Sequence, residues 1–172
     1  MTDSEVKPPS IMNIGLKYGL ISTGIGILMF LALALSAANP FDNTWGWVRI
    51  AISIVIIVLA HREFKNSGDG FMSYGQGFKI GLIMILVGIV VGNLFTWFYT
   101  AVVDPGVMDI FYDAQRTQME GNNMPDEQID VAIEWTKKLF WPIAFVFGII
   151  GGLIGVLIIT IFTKKENPEP QI

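Results

Sequence analysis

Four long apolar runs narrow what this chain can fold into more than any other feature: they lie at about residues 14–37, 45–63, 80–103 and 139–162 of 172. At about 1.5 Å per helical residue, a run of ~20 residues matches the roughly 30 Å of bilayer hydrocarbon. No water reaches that depth, so backbone groups must bond within their own segment, which selects the α-helix. The expected fold class is therefore an all-α membrane protein, with four transmembrane helices and an extracytoplasmic helical hairpin between helices 3 and 4. Hydrophobic residues make up 52 % of the chain, and the surplus over a soluble domain must face lipid.

The runs differ in quality. The first holds Lys17 near its start and ends in Ser36-Ala37-Ala38, a small-residue pattern shared with secretory cleavage sites. Its apolar stretch exceeds the roughly 7–15 residues of such signals, so a membrane span is the preferred reading. In the second, the uncharged core, residues 50–60, is only 11 residues long. Spanning there needs Trp45 and Trp47 in one headgroup layer, with Arg62 and Lys65 extending into the other. Asp104-Pro105-Gly106 closes the third run and Lys164-Lys165 the fourth.

Outside the runs, residues 1–12, with two prolines and mixed charge, and 166–172, with two prolines, are expected to be disordered cytoplasmic tails flanking a membrane domain at 13–165. Residues 63–77, with three charges and four glycines, read as a flexible loop. With cytoplasmic termini the inner segments hold seven Lys and Arg (Lys7, Lys17, Arg62, Lys65, Lys79, Lys164, Lys165) against four outside (Arg49, Arg116, Lys137, Lys138). The excess of inner positive charge favours that orientation.

The outer insertion, 107–138, has helical periodicity. Met108, Phe111, Tyr112, Gln115 and Met119 share one face, and Asp109, Asp113, Arg116 and Glu120 another. A turn at 121–124 precedes Pro125, expected at a first helical position, with Asp126 and Glu127 in the positive field of a helix start. Ile129, Ile133, Thr136 and Phe140 line the second helix, Glu134 stands four residues before Lys138, and a kink is expected at Pro142. Apolar Trp135 and Phe111 are expected at the surface of this hairpin.

Glycine is concentrated in runs one, three and four: Gly15, Gly19, Gly24 and Gly26; Gly81, Gly88 and Gly92; Gly148, Gly151, Gly152 and Gly155. Small residues let helices approach closely where lipid supplies no hydrophobic drive. Helix packing is therefore assigned to Gly15, Gly19, Gly26, Gly81, Gly88, Gly92, Gly148, Gly152 and Gly155, and span two, without glycine between residues 48 and 60, is expected to face lipid. Residues 15–27 and 77–89 share seven identities in 13 positions, beginning G-x-K-x-G-L-I. Two duplicated hairpins related by an axis near the membrane normal would produce that pattern; chance agreement among Gly, Leu and Ile is the alternative.

Lys17 and Lys79 occupy equivalent positions in this repeat and are the candidate contact for an anionic lipid head, beside the plainer role of interfacial anchors. His61, at the inner end of span two, reads as an anchor. Asn93 is the amide placed well inside a span and the candidate polar membrane site; interhelical bonding is its plainer use. Absence of cysteine excludes disulfides and thiolate chemistry. No catalytic, metal or cofactor site is assigned, since no nucleophile-elbow, zinc-helix or phosphate-loop motif occurs and the eight outer acids lack calcium-loop spacing. A net charge of −4 argues against nucleic acid as a partner.

Asn13-Ile-Gly-Leu-Lys-Tyr-Gly, Ala60-His-Arg-Glu-Phe-Lys, Phe71-Met-Ser-Tyr-Gly-Gln-Gly-Phe and Met124-Pro-Asp-Glu-Gln-Ile-Asp together resemble a bacterial membrane family, domain of unknown function 4199, over roughly residues 11–165. That resemblance implies a bacterial multi-pass membrane protein of the cytoplasmic membrane and transfers no active residues. Two functional expectations follow. One is a non-enzymatic module whose bundle anchors the 107–138 hairpin for a protein partner. The other is a subunit of a small oligomeric transporter or channel, with a path along the glycine faces, Asn93, Lys17 and Lys79.

Overall fold

A computed structural model describes residues 9–168; the stretches 1–8 and 169–172, which hold most of the two tails expected to be disordered, lie outside the described residues. Five helices follow in order: α1 (Ile11–Leu35), α2 (Asn43–Asn66), α3 (Tyr74–Val103), α4 (Gly106–Gly121) and α5 (Asp126–Thr163). Of these, α1, α2, α3 and α5 are long and apolar enough to cross a membrane. Among the described residues there is no strand, only an isolated antiparallel bridge between Met72 and Lys165.

Local chemistry sets the helix ends. Ser10 Oγ accepts from the Asn13 N–H at 3.2 Å, so α1 starts at Ile11, inside the stretch expected to be tail. It stops at Ser36-Ala37-Ala38 by closing on itself: the Ala37 N–H donates to the Ala34 carbonyl at 3.1 Å and the Ala38 N–H to that of Leu33 at 3.0 Å. That closure puts Ala37 at φ 55°, left-handed backbone where a Cβ is disfavoured. Asn123, at φ 57°, ends α4 in the same way. Asp42 caps α2, and the Thr44 N–H and hydroxyl hold its carboxyl below the usual carboxylate range. This cap is at full strength above that range and weakens as pH falls through it. The second helix of the insertion begins with Pro125 just outside it as the N-cap, one place before the expected position, and α5 runs through Pro142 as one helix.

The stretch expected to be a flexible loop is mostly neither loop nor loose. α2 continues to Asn66, and the Lys65 ammonium reaches the Thr163 carbonyl at 2.8 Å. Ser73 and Gln76 form a reciprocal cap on α3: Ser73 Oγ accepts from the Gln76 N–H at 3.2 Å, and Gln76 Oε1 from the Ser73 N–H at 2.7 Å. Between them, Met72 and Lys165 exchange backbone bonds of 2.8 and 2.9 Å, fastening the connection to the end of α5.

α3 packs along both α1 and α5, and α2 closes the far side between them. Gly15 faces Ile83 and Gly19 faces Val87, so α1 and α3 run parallel; Gly77 faces Thr160, Gly81 faces Val156 and Gly152 faces Ile85, so α3 and α5 run antiparallel. The starts of α1 and α3 and the finishes of α2 and α5 thus share one end, called here the terminal end; the hairpin marks the other.

The principal core lies toward the terminal end. Ile56, Ile57, Ala60 and Phe64 of α2 are buried there with Ile14, Ile80, Met84, Val156 and Ile159. The expectation that span two faces lipid is therefore corrected. Its half toward the hairpin exposes Trp47, Ile50, Ile54 and Val55, but its half toward the terminal end sits in the core, where the small Ala60 is fully buried. His61 is fully buried. Its Nε2 donates to the Gly77 carbonyl at 3.0 Å and its Nδ1 pairs with the Thr163 hydroxyl at 2.7 Å, joining α2 to α3 and α5. The interfacial anchor expected at this position is instead the centre of a three-helix junction.

Two stability changes follow. His61→Leu should lower the free energy of unfolding by about 1–2 kcal/mol, above the ~0.6 average for one interhelical bond, because the Gly77 carbonyl and Thr163 hydroxyl both lose a partner. Ala37→Gly should raise it by about 0.5–1 kcal/mol by relieving the left-handed alanine. Thermal unfolding of the full chain in detergent, followed by circular dichroism, measures both.

Candidate functional site

Above the His61 layer the centre of the bundle opens. A cavity of about 530 Å³ is walled by all four long helices and extends from Arg49, Phe140 and Trp141 near the hairpin end down to Gly81 and Gly152. α3 shapes one wall with a wide π-helical turn, Gly88–Gly92, and the segment after it that holds Asn93 and Thr96; a second such turn, Tyr99–Val103, lies beyond the cavity. Turns of this kind re-aim side chains without ending a helix and recur at functional sites. Thr96 still satisfies its hydroxyl on the Gly92 carbonyl at 3.0 Å.

The lining is apolar with a polar strip: Arg49 and Ser53 from α2, Ser22 and Thr23 from α1, Asn93 and Thr96 from α3. Arg49 and Ser53 stand four apart and share one helix face. The Arg49 guanidinium donates to the Pro40 carbonyl at 2.9 Å and takes part in none of the ion pairs among the described residues. The Thr23 hydroxyl is buried without a hydrogen-bond partner. Asn93 was legible in the sequence as an intramembrane amide. Arg49 has the sequence signature of an interfacial anchor, a cation six residues into a helix beside Trp45 and Trp47, and only its neighbours in the fold place it on the cavity. A threonine's missing partner has no sequence signal at all.

The glycines assigned to packing divide sharply. A Cβ on Gly15 would lie 2.7 Å from Ile83 Cβ, one on Gly19 3.0 Å from Val87 Cβ, and one on Gly152 3.0 Å from Ile85 Cγ1, while one on Gly81 would collide with Val156. Gly88 and Gly92 meet Thr23 at ordinary contact distances of 3.8 and 3.6 Å. Gly26, Gly148 and Gly155, with Gly24 and Gly151, have nothing within 4 Å, so the packing role given to Gly26, Gly148 and Gly155 is corrected. Gly26 and Gly148 instead line opposite walls of the cavity, on α1 and α5.

The repeated motif is likewise used in two ways. Gly15 and Gly19 receive α3, whereas their equivalents Gly77 and Gly81 receive α5. A two-fold axis between the hairpins would set Gly77 and Gly81 against α1, so the packing departs from that symmetry. Lys17 and Lys79 also diverge. Lys17 binds Glu63 at 2.7 Å, the carboxylate oxygen that also accepts from the Tyr18 hydroxyl at 2.8 Å, fastening α1 to α2; Lys79 stands exposed. Neither lines the cavity.

At the hairpin end, Phe30, Tyr99 and Val107 are buried together, and Phe41, Phe111 and Phe140 meet edge to face at centroid distances of 5.2–5.4 Å. Phe111, expected at the surface, is therefore packed at the root of the hairpin, while Trp135 remains 57 % exposed beside a groove lined by Leu139, Phe140 and Ile143. Arg116 pairs with Asp130 across the hairpin, and Lys138 with Glu134 one turn back along α5. Burial and the nearby Asp109 carboxylate push the Tyr112 hydroxyl above the usual tyrosine value. Among the described residues no three His, Asp or Glu side chains cluster to ligate a metal.

The two classes of glycine predict opposite outcomes for one added methyl. Gly81→Ala should cost about 1–3 kcal/mol through overpacking against Val156, and Gly148→Ala should be close to neutral or slightly stabilising. Paired unfolding curves of the two variants in one detergent separate them.

Neither the curated proteins nor the solved structures include a match to this chain. The family model described as "Protein of unknown function (DUF4199)" matches residues 17–165, a stretch that takes in most of α1, the other three long helices and the insertion. On that coverage the chain belongs to the DUF4199 family.

Proposed function

We propose that the protein is a non-enzymatic module of the bacterial cytoplasmic membrane, with both termini cytoplasmic and the α4–α5 hairpin presented outside to a protein partner. The observation that carries this reading is the length of α5. Its 38 residues form one helix, about 57 Å long at 1.5 Å per residue and roughly twice the hydrocarbon thickness. The second helix of the hairpin and the fourth span are thus parts of one rod. The Phe41–Phe111–Phe140 contacts brace that rod against the rest of the bundle. Along it, Val131 and Trp135 are exposed apolar side chains flanked by acids, the composition of a surface that binds an amphipathic partner.

A single cysteine at Asn122, at the hairpin turn, tests both location and contact. Treated with a membrane-impermeant thiol crosslinker, intact cells should yield one distinct conjugate, and Trp135→Ala should reduce it several-fold. A cysteine that is unreactive in intact cells but reactive after lysis would reverse the orientation. Conjugates only to a second copy would overturn the partner reading. They would favour the second reading, a subunit of an oligomeric transporter or channel, for which the cavity at Asn93 is the supporting observation. That reading requires Asn93→Leu to change solute flux in vesicles.

A further inference from the structure

A cation in none of the ion pairs among the described residues lines the cavity of the bundle, an arrangement that the hairpin reading does not use. Ionisable side chains within membrane helices face a cavity or the bundle interior and are ordinarily paired there. Arg49 carries five N–H donors and is matched by one carbonyl, that of Pro40, with no acid in an ion pair among the described residues. Thr23 is the second anomaly. Thr96, Thr100, Thr117, Thr136 and Thr160 each donate to the carbonyl four residues back. Thr23 is only 8 % exposed and does not do so, although an intrahelical acceptor stands within reach of any helical threonine. Its oxygen is turned to α3, 3.8 Å from where a Cβ on Gly88 would stand, so it belongs to the wall of the cavity and the ligand contact falls to Arg49.

We propose that the cavity binds an anionic amphiphile, whose carboxylate or phosphate pairs with the Arg49 guanidinium while its apolar body lies against Met84, Ile85 and Trp141. Three properties of the site fit this class of ligand. The planar guanidinium matches a carboxylate or phosphate with two parallel bonds, a geometry an ammonium would not supply. The volume of about 530 Å³ falls among ordinary ligand sites. The lining from Phe140 to Gly152 on α5 spans about 18 Å at 1.5 Å per residue, close to the ~15 Å of one leaflet's hydrocarbon. Ser53, one turn deeper on α2 than Arg49, would take a second polar group on the ligand, such as an ester or hydroxyl. The floor is closed by the Gly81–Val156 contact and the His61 layer, so the site is a blind pocket rather than a pore.

The ligand could be a phospholipid of the surrounding membrane or a free fatty-acid-like anion, and one titration separates them. The full chain in mild detergent is titrated with a phosphatidylglycerol, a phosphatidylcholine of the same tails, and dodecanoate, and adducts are counted by native mass spectrometry. One saturable site for phosphatidylglycerol or for dodecanoate, with phosphatidylcholine much weaker, is the expected result, and whichever anion saturates identifies the source. Arg49→Gln should weaken that site about tenfold, the value of one charge-assisted contact. Gly26→Leu fills the cavity from α1 into open space, so it should abolish binding while the circular dichroism spectrum and unfolding midpoint stay those of the parent; Gly148→Leu does the same from α5 should the first variant fold poorly. No saturable site for either anion, equal binding of the neutral-headed lipid, or binding undiminished in Arg49→Gln and in a folded cavity-filled variant would each overturn the proposal. None of these outcomes bears on the hairpin, which the crosslinking experiment tests separately.

Discussion

A group that can hydrogen-bond must find its partner inside the protein once lipid surrounds it, and at the terminal end His61 meets that requirement for three helices together. Both ring nitrogens are used, one on the backbone of α3 and one on a side chain of α5. The neighbouring contacts repeat the same connection. Lys65 reaches the end of α5, Met72 and Lys165 exchange backbone bonds, and Glu63 takes Lys17 and Tyr18 from α1. The apolar core of Ile56, Ile80 and Val156 packs around this junction. Polar satisfaction and close packing coincide there, which makes this end the fixed part of the bundle.

Toward the hairpin the same rule is left unmet. Thr23 has no partner and Arg49 donates to one carbonyl. The bundle therefore has a saturated end and an unsaturated one. Glycine follows the division: Gly15, Gly19, Gly77 and Gly81 bring helices together near the saturated end, and Gly26 and Gly148 open space beyond it. One residue type serves opposite purposes because a missing side chain admits either a neighbouring helix or a void. Which of these forms is set by the register of the helix opposite.

The hairpin is joined to the unsaturated end. Phe140, at the root of the fourth span, touches Phe41 and Phe111 and also lines the cavity. A ligand beside Phe140 and a partner on the hairpin would thus share a side chain, and α5 runs unbroken through both places. Binding at either place can influence the other only through differential contact with the two arrangements of that shared element.

Much of the architecture was legible in the chain itself. Run length and apolarity determined four spans, because bilayer thickness and the backbone's need for internal bonds admit little else. The faces of the insertion also followed from periodicity: Ile129 and Ile133 are buried and Asp109, Asp113 and Glu120 exposed, as a 3.6-residue repeat dictates. The Ser73–Gln76 cap was readable as a serine three residues before a glutamine, yet it was obscured by the surrounding glycines. What only the tertiary structure decided was which residues meet across helices. The burial of His61, the two fates of Lys17 and Lys79, the division of the glycines, and the convergence of Arg49, Thr23 and Asn93 on one cavity all depend on helix rotation and register. Those are set by contacts between side chains distant in sequence, and a period along one helix carries no information about the face its neighbour turns toward it.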